Sequence, residues 1–252
     1  MPYPKLKFRL SAKKDFETLC IFTKESGFDD GRNLDWAVFN SYPELKNYFA
    51  KKNNYRIKDK KSLQFFINKK YNDEKLTMEK QLKVSEERWE KIAPKYFLLT
   101  DELFNGRKWP KGKYIAYGTI WGLYPRFLGD KTFQFPFSHR KPNYISVVIA
   151  HELLHFMFYS YFYERYPKYS QSKDNFFVWN ISEIFNTIVQ NSPDWLKCFK
   201  IKSLGYPEHK SIVMEISNVL YIKNVWDLDE IVDEIIKKFQ EKKVIPKKAG
   251  LD

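Results

Sequence analysis

Between Ile145 and Tyr163 the chain is apolar almost without a break, yet His151, Glu152 and His155 stand near the middle of that run. A stretch of this length and character folds as a helix that is buried nearly all round. Imidazoles and carboxylates are costly inside such a helix unless something satisfies them. The pentad His151-Glu152-Leu153-Leu154-His155 has the H-E-x-x-H spacing. Residues i and i+4 share one helix face, with side chains about 6 Å apart, so both imidazoles can reach one ion. Glu152 is then placed to act as general base toward a metal-activated water. Hydrogen bonding of both histidines within the core is the alternative. A bound cation answers all three groups at once, and two of the chain's four histidines fall in this pentad.

Composition narrows the classes around that motif. An apolar content of 43% is enough for a real core, and nine glycines with no G-x-G-x-x-G or phosphate-loop pattern argue against a nucleotide-binding architecture. The net charge of +13 would suit nucleic acid. Only eight of the 44 basic residues are Arg, the usual residue for bidentate phosphate and guanine contacts, which weighs against that partner. Cys20 and Cys198 lie far apart with no C-x-x-C, so neither a disulfide framework nor a thiolate zinc site is implied, and a cytoplasmic location is expected. Met1-Pro2-Tyr3-Pro4-Lys5 lacks an apolar signal core. The run from Ile145 is long enough to suggest a membrane span, but charged and imidazole groups at its centre would be expensive in lipid, so no span is expected.

The remaining pattern predicts an α+β fold, mainly helical, with a small mixed β-sheet beside the motif helix. Alternation over Leu6–Leu10 predicts a strand, followed by helices over 12–25, 42–52 (opened by a Ser41-x-x-Glu44 capping box), 59–70 and 73–93, the last ending near Pro94. Lys113–Trp121 and Lys131–Phe137 read as strands, with Pro136 suited to an edge or a strand end. The motif helix follows Pro142 and stops before Pro167. A second helix spans about Phe176–Asn191, and Asp227-x-x-Glu230 caps a final amphipathic helix. The texture changes near 94–112, which either divides the chain into a mostly helical region, 1–105, and a region carrying the motif, 106–252, or leaves it as a single domain.

A catalytic zinc site usually takes three protein ligands. Position 161 is Tyr161, so the arrangement with a third His six residues after the pair is absent. Glu183, on the next predicted helix among Asn180, Asn186 and Thr187, is the leading candidate. Asp174 is the alternative, and a solvent-facing Glu183 on an amphipathic helix is the plain reading.

In this order of strand, H-E-x-x-H helix and second helix with Glu, residues 113–195 resemble the gluzincin, thermolysin-like branch of the zincin metallopeptidases. The resemblance implies His151, His155 and Glu183 as zinc ligands, Glu152 as general base, and Lys131–Phe137 as a strand that binds peptide in extended form. The family's Asn-Glu-x-x-x-Asp form is not met: Ser182 precedes Glu183, and Asn186 or Thr187 stands where an outer acid might. Imidazole and carboxylate ligands favour Zn2+. The function expected is zinc-dependent hydrolysis of peptide bonds. His209, Tyr206 and His139 are candidates for stabilising the oxyanion. A catalytically inactive, zincin-like binding module and a basic nucleic-acid-associated protein are the other two readings.

Overall fold

The computed structural model describes residues 3–24, 34–51, 55–170, 176–223 and 227–242. The chain forms two compact units that interleave along the sequence. One gathers Lys5–Glu87 and Lys113–Ile145; the other gathers Arg88–Gly112 and Ser146–Val244. The expected division after residue 105 falls inside the segment Arg88–Gly112, so neither unit is a contiguous half.

The first unit is built on a four-stranded mixed sheet. Strand β1 (Leu6–Leu10) pairs in parallel with β4 (Tyr114–Thr119), and β4 pairs in parallel with β6 (Thr132–Pro136). This pairing is why the N-terminal strand belongs with residues a hundred positions later. The short β5 (Arg126–Phe127) runs antiparallel to β6 and covers Thr132 and Phe133. The strand expected at the sheet edge therefore has neighbours on both sides over those two residues. Pro136, at the strand end, costs no ladder donor where one is needed.

Helix α1 (Ala12–Lys24) follows β1. The helix expected over 42–52 is not formed. Pro43–Tyr48 makes a 3-10 turn whose N-cap, Tyr42, supplies no side-chain cap, and β2 (Phe49–Lys51) then pairs with β3 (Tyr55–Ile57) in a two-stranded antiparallel ribbon. The aromatic pairs Phe39–Phe49, Phe39–Tyr55 and Phe49–Tyr55 draw this segment into the core, overriding its local helical pattern. Helix α2 (Lys60–Asp73) is capped by the Asp59 side chain, which accepts from the backbone N–H groups of Lys61 and Ser62.

Helix α3 (Lys75–Leu103) runs through Pro94 rather than ending there. Proline removes one backbone donor from the ladder, but apolar burial continues past it: Tyr96, Phe97 and Leu99 are buried beyond the proline, and Trp89 packs a tilted ring on Tyr96 and an edge-to-face contact on Phe97 across it.

The second unit centres on α4 (Pro142–Arg165) and α5 (Phe176–Gln190). Pro142 occupies the first position of α4, where its missing N–H costs nothing. The helix ends at Arg165, just before Tyr166-Pro167, because the residue preceding a proline is steered out of helical geometry. Of the most apolar window of α4, 89% is buried inside the protein. The stripe expected on α5, namely Ile181, Ile184, Phe185 and Ile188, is fully buried. Helices α6 (Pro193–Phe199), α7 (Lys210–Lys223) and α8 (Leu228–Glu241) complete the unit, and α5 packs against all three. The Asp227 side chain caps α8 by accepting from Glu230 N–H, as its sequence predicts.

Candidate metal centre

Helical spacing on α4 turns His151 and His155 to one side, with ring centroids 4.7 Å apart and planes at 80°. His151, Glu152 and His155 each offer a ligand atom within 4.8 Å of the others, a grouping that can hold a metal ion. Glu152 and His155 are buried, and the His151 side chain retains 17% exposure, which makes it the most exposed of the three.

Helix α5 brings a carboxylate to the same place. Glu183 Oε2 lies 3.0 Å from His151 Nε2, and Glu183 Oε1 lies 3.3 Å from His155 Nε2. Its side chain is 6% exposed, so it is not a solvent-facing acid. Asp174 falls outside the described residues. In a tetrahedral zinc shell, bonds near 2.0–2.2 Å set neighbouring ligand atoms about 3.3–3.6 Å apart. At 3.0 and 3.3 Å the two nitrogen–oxygen separations fall at or just below that spacing, and the donors, imidazoles and a carboxylate, are the types that suit a borderline divalent cation.

Electrostatics at the centre are set by the same carboxylate. Burial works against charge on the His151 ring, but the hydrogen bond and negative charge of Glu183, with help from Glu152, outweigh it, and its pKa is raised.

Three further side chains of α5 lock the geometry. Gln190 Oε1 meets His151 Nδ1 at 2.9 Å, and Gln190 Nε2–H donates to Val147 O at 3.0 Å. Asn186 Nδ2–H donates to the carbonyl of His151 at 3.0 Å. Thr187 Oγ–H donates to the carbonyl of Glu183 at 2.8 Å. Gln190 is absent from the sequence-based candidates. The available signal was its position seven residues after Glu183, two turns along the same helix face.

The proposed oxyanion residues are placed differently. His209 is fully buried, and its Nε2 lies 2.7 Å from Asn180 Oδ1. Asn180 Nδ2–H already donates to Phe176 O, so its oxygen must face the ring and the proton must sit on His209 Nε2. Burial lowers the His209 pKa despite the charges of Glu208 and Glu183. The Nε2–H is taken up by Asn180, and Nδ1 is buried with no hydrogen-bond partner among the described residues. This runs against a donor role for His209 in the present arrangement. Tyr206 is 42% exposed and packs its ring on Trp179 and His209. His139 belongs to the other unit, where it is exposed and accepts at Nδ1 from the backbone N–H of Lys141.

Set against protein-family models, curated proteins and solved structures, the chain matches none, so its own geometry carries the functional reading.

Proposed function

We propose that the chain is a zinc-dependent metallopeptidase of the gluzincin kind, with His151, His155 and Glu183 holding the ion and Glu152 as general base. One observation carries the reading: a single buried carboxylate, Glu183, spans the Nε2 atoms of both histidines at 3.0 and 3.3 Å. A zinc ion held there would polarise the scissile carbonyl and acidify the attacking water. Glu152, buried and next to His151 in sequence, would accept the proton of that water and return it to the leaving amine. The partly exposed edge of His151 marks the side from which a peptide can approach.

The test is direct. Purified protein should hold zinc at one equivalent by metal analysis and cleave members of a peptide library in a chelator-sensitive manner. Failure to bind zinc removes the centre. Stoichiometric zinc without cleavage would favour a second reading, a zincin-like binding module. A specific feature supports that rival: the outer partner of His151 is the neutral Gln190 and not an acid, which changes the support a catalytic His usually receives.

A further inference from the structure

Gln190 makes two hydrogen bonds to α4, and together they determine more than packing. The carbonyl of Val147 can only accept, so the Gln190 amide nitrogen must face it at 3.0 Å. That fixes the amide orientation and leaves Oε1 toward His151 Nδ1 at 2.9 Å. Two acceptors do not meet at that distance, so Nδ1 carries a proton. Nε2, which faces Glu183 at 3.0 Å, is then the nitrogen that would give up its own proton to a cation. Gln190 is 2% exposed, so water is poorly placed to replace it. Val147 lies one turn before His151 on α4. Gln190 thus clamps both the ring and the turn that carries it.

We propose that Gln190 is the positioning residue of the metal centre: its carboxamide fixes the tautomer and ring orientation of His151, so that one helix supplies both the third ligand, Glu183, and the neutral support of the first. The proposal rests on the metal-binding reading above. It also explains why the acid expected soon after Glu183 is missing. Thr187, one turn on, is turned to the Glu183 carbonyl, while the second turn, at position 190, reaches the ring. Because the support is an amide, it adds no negative charge around the ion. Outer-shell partners of ligating histidines typically set metal affinity by 10–100-fold.

Two substitutions separate positioning from bulk packing. Gln190→Leu removes both bonds. Gln190→Glu keeps an acceptor for Nδ1–H but loses the donor to Val147. Zinc affinity is read by competition with a chromophoric chelator, and the imidazole Nδ1–H of His151 is followed by 15N NMR, assigned by its loss in His151→Ala. The leucine variant should bind zinc about 10–100-fold more weakly and lose the protected Nδ1–H signal. The glutamate variant should keep wild-type affinity or exceed it, and keep the signal. Equal weakening in both variants, or tenfold weakening in the glutamate variant alone should the leucine variant not fold, overturns the assignment. Wild-type protein that takes up no zinc fails one step earlier, at the metal reading itself, and takes this proposal with it.

Discussion

Glu183 Oε2 sits 3.0 Å from His151 Nε2, although 32 residues of chain separate them. The contact joins α4 to α5 at a buried point where a carboxylate alone would be costly. Replacing Glu183 by Ala should abolish stoichiometric zinc binding and, with it, the stabilisation that bound zinc confers. At a zinc concentration a hundredfold above Kd that stabilisation is about 2.7 kcal/mol. Thermal unfolding with and without zinc reads the difference. A zinc-induced shift of wild-type size in Glu183→Ala would remove Glu183 from the ligand set.

Glu152 is adjacent to a ligand in sequence but has a different assignment. Glu152→Gln keeps the shape of the side chain and removes its basicity. Zinc content should remain at one equivalent while peptide cleavage drops by about 10²–10⁴-fold, the range for loss of a general base. His155→Ala should instead lose the metal, since its fully buried ring is a proposed ligand. Parallel metal analysis and turnover assays distinguish the two, and a Glu152→Gln variant that cleaves peptide at the wild-type rate would exclude the base role.

The motif and the helix that answers it were legible because both signals are local. Helical periodicity alone places His151 and His155 on one face, and the apolar stripe of Ile181, Ile184, Phe185 and Ile188 announces α5 and the polar strip containing Glu183. What the sequence concealed depends on contacts between distant segments. Phe49 and Tyr55 enter a β-ribbon because they pack on Phe39, which no window around 42–52 contains. Pro94 fails to end its helix because Tyr96 and Phe97 find a core beyond it. Gln190 looks like an ordinary polar residue at a helix end until α4 is set beside it. His209 and Asn180 fix one another's orientation across 29 residues, which commits the Nε2–H of the expected donor to Asn180 Oδ1.

Gly205 should tolerate no side chain at its present position. A Cβ there would fall 2.8 Å from Thr187 Oγ1 and 3.0 Å from its Cγ2. Thr187 is β-branched, buried and hydrogen-bonded to the Glu183 carbonyl, so it has few ways to retreat. Gly205→Ala is expected to destabilise the protein by about 1–3 kcal/mol and to weaken zinc binding through the displaced turn of α5. Urea unfolding gives the first quantity and chelator competition the second. Wild-type values for both would show that the segment around Gly205 moves aside freely.

Asp15, in the other unit, should make stability fall as pH rises. Its carboxylate is wholly buried and accepts from Tyr71 Oη at 2.7 Å, Ile120 N at 3.2 Å and Gln134 Nε2 at 2.6 Å. Burial raises its pKa from 3.8 to about 6, against the downward pull of hydrogen bonds from Thr119, Tyr71, Ile120 and Gln134. The folded state therefore holds a proton between those two values that the unfolded state has released. Its contribution to stability is fully present below pH 3.8 and is lost as pH climbs through about 6. A shift of this size is worth about 3 kcal/mol between the two extremes. Asp15→Asn cannot titrate, and its amide N–H groups would oppose the converging donors, so it should be less stable than wild type throughout. Because other groups titrate alike in both proteins, the gap between wild type and variant isolates Asp15. That gap should be widest near pH 4 and should narrow towards pH 7.5 in urea unfolding. A gap that stays constant across this interval would mean that Asp15 is ionised at every pH and that its donors outweigh its burial.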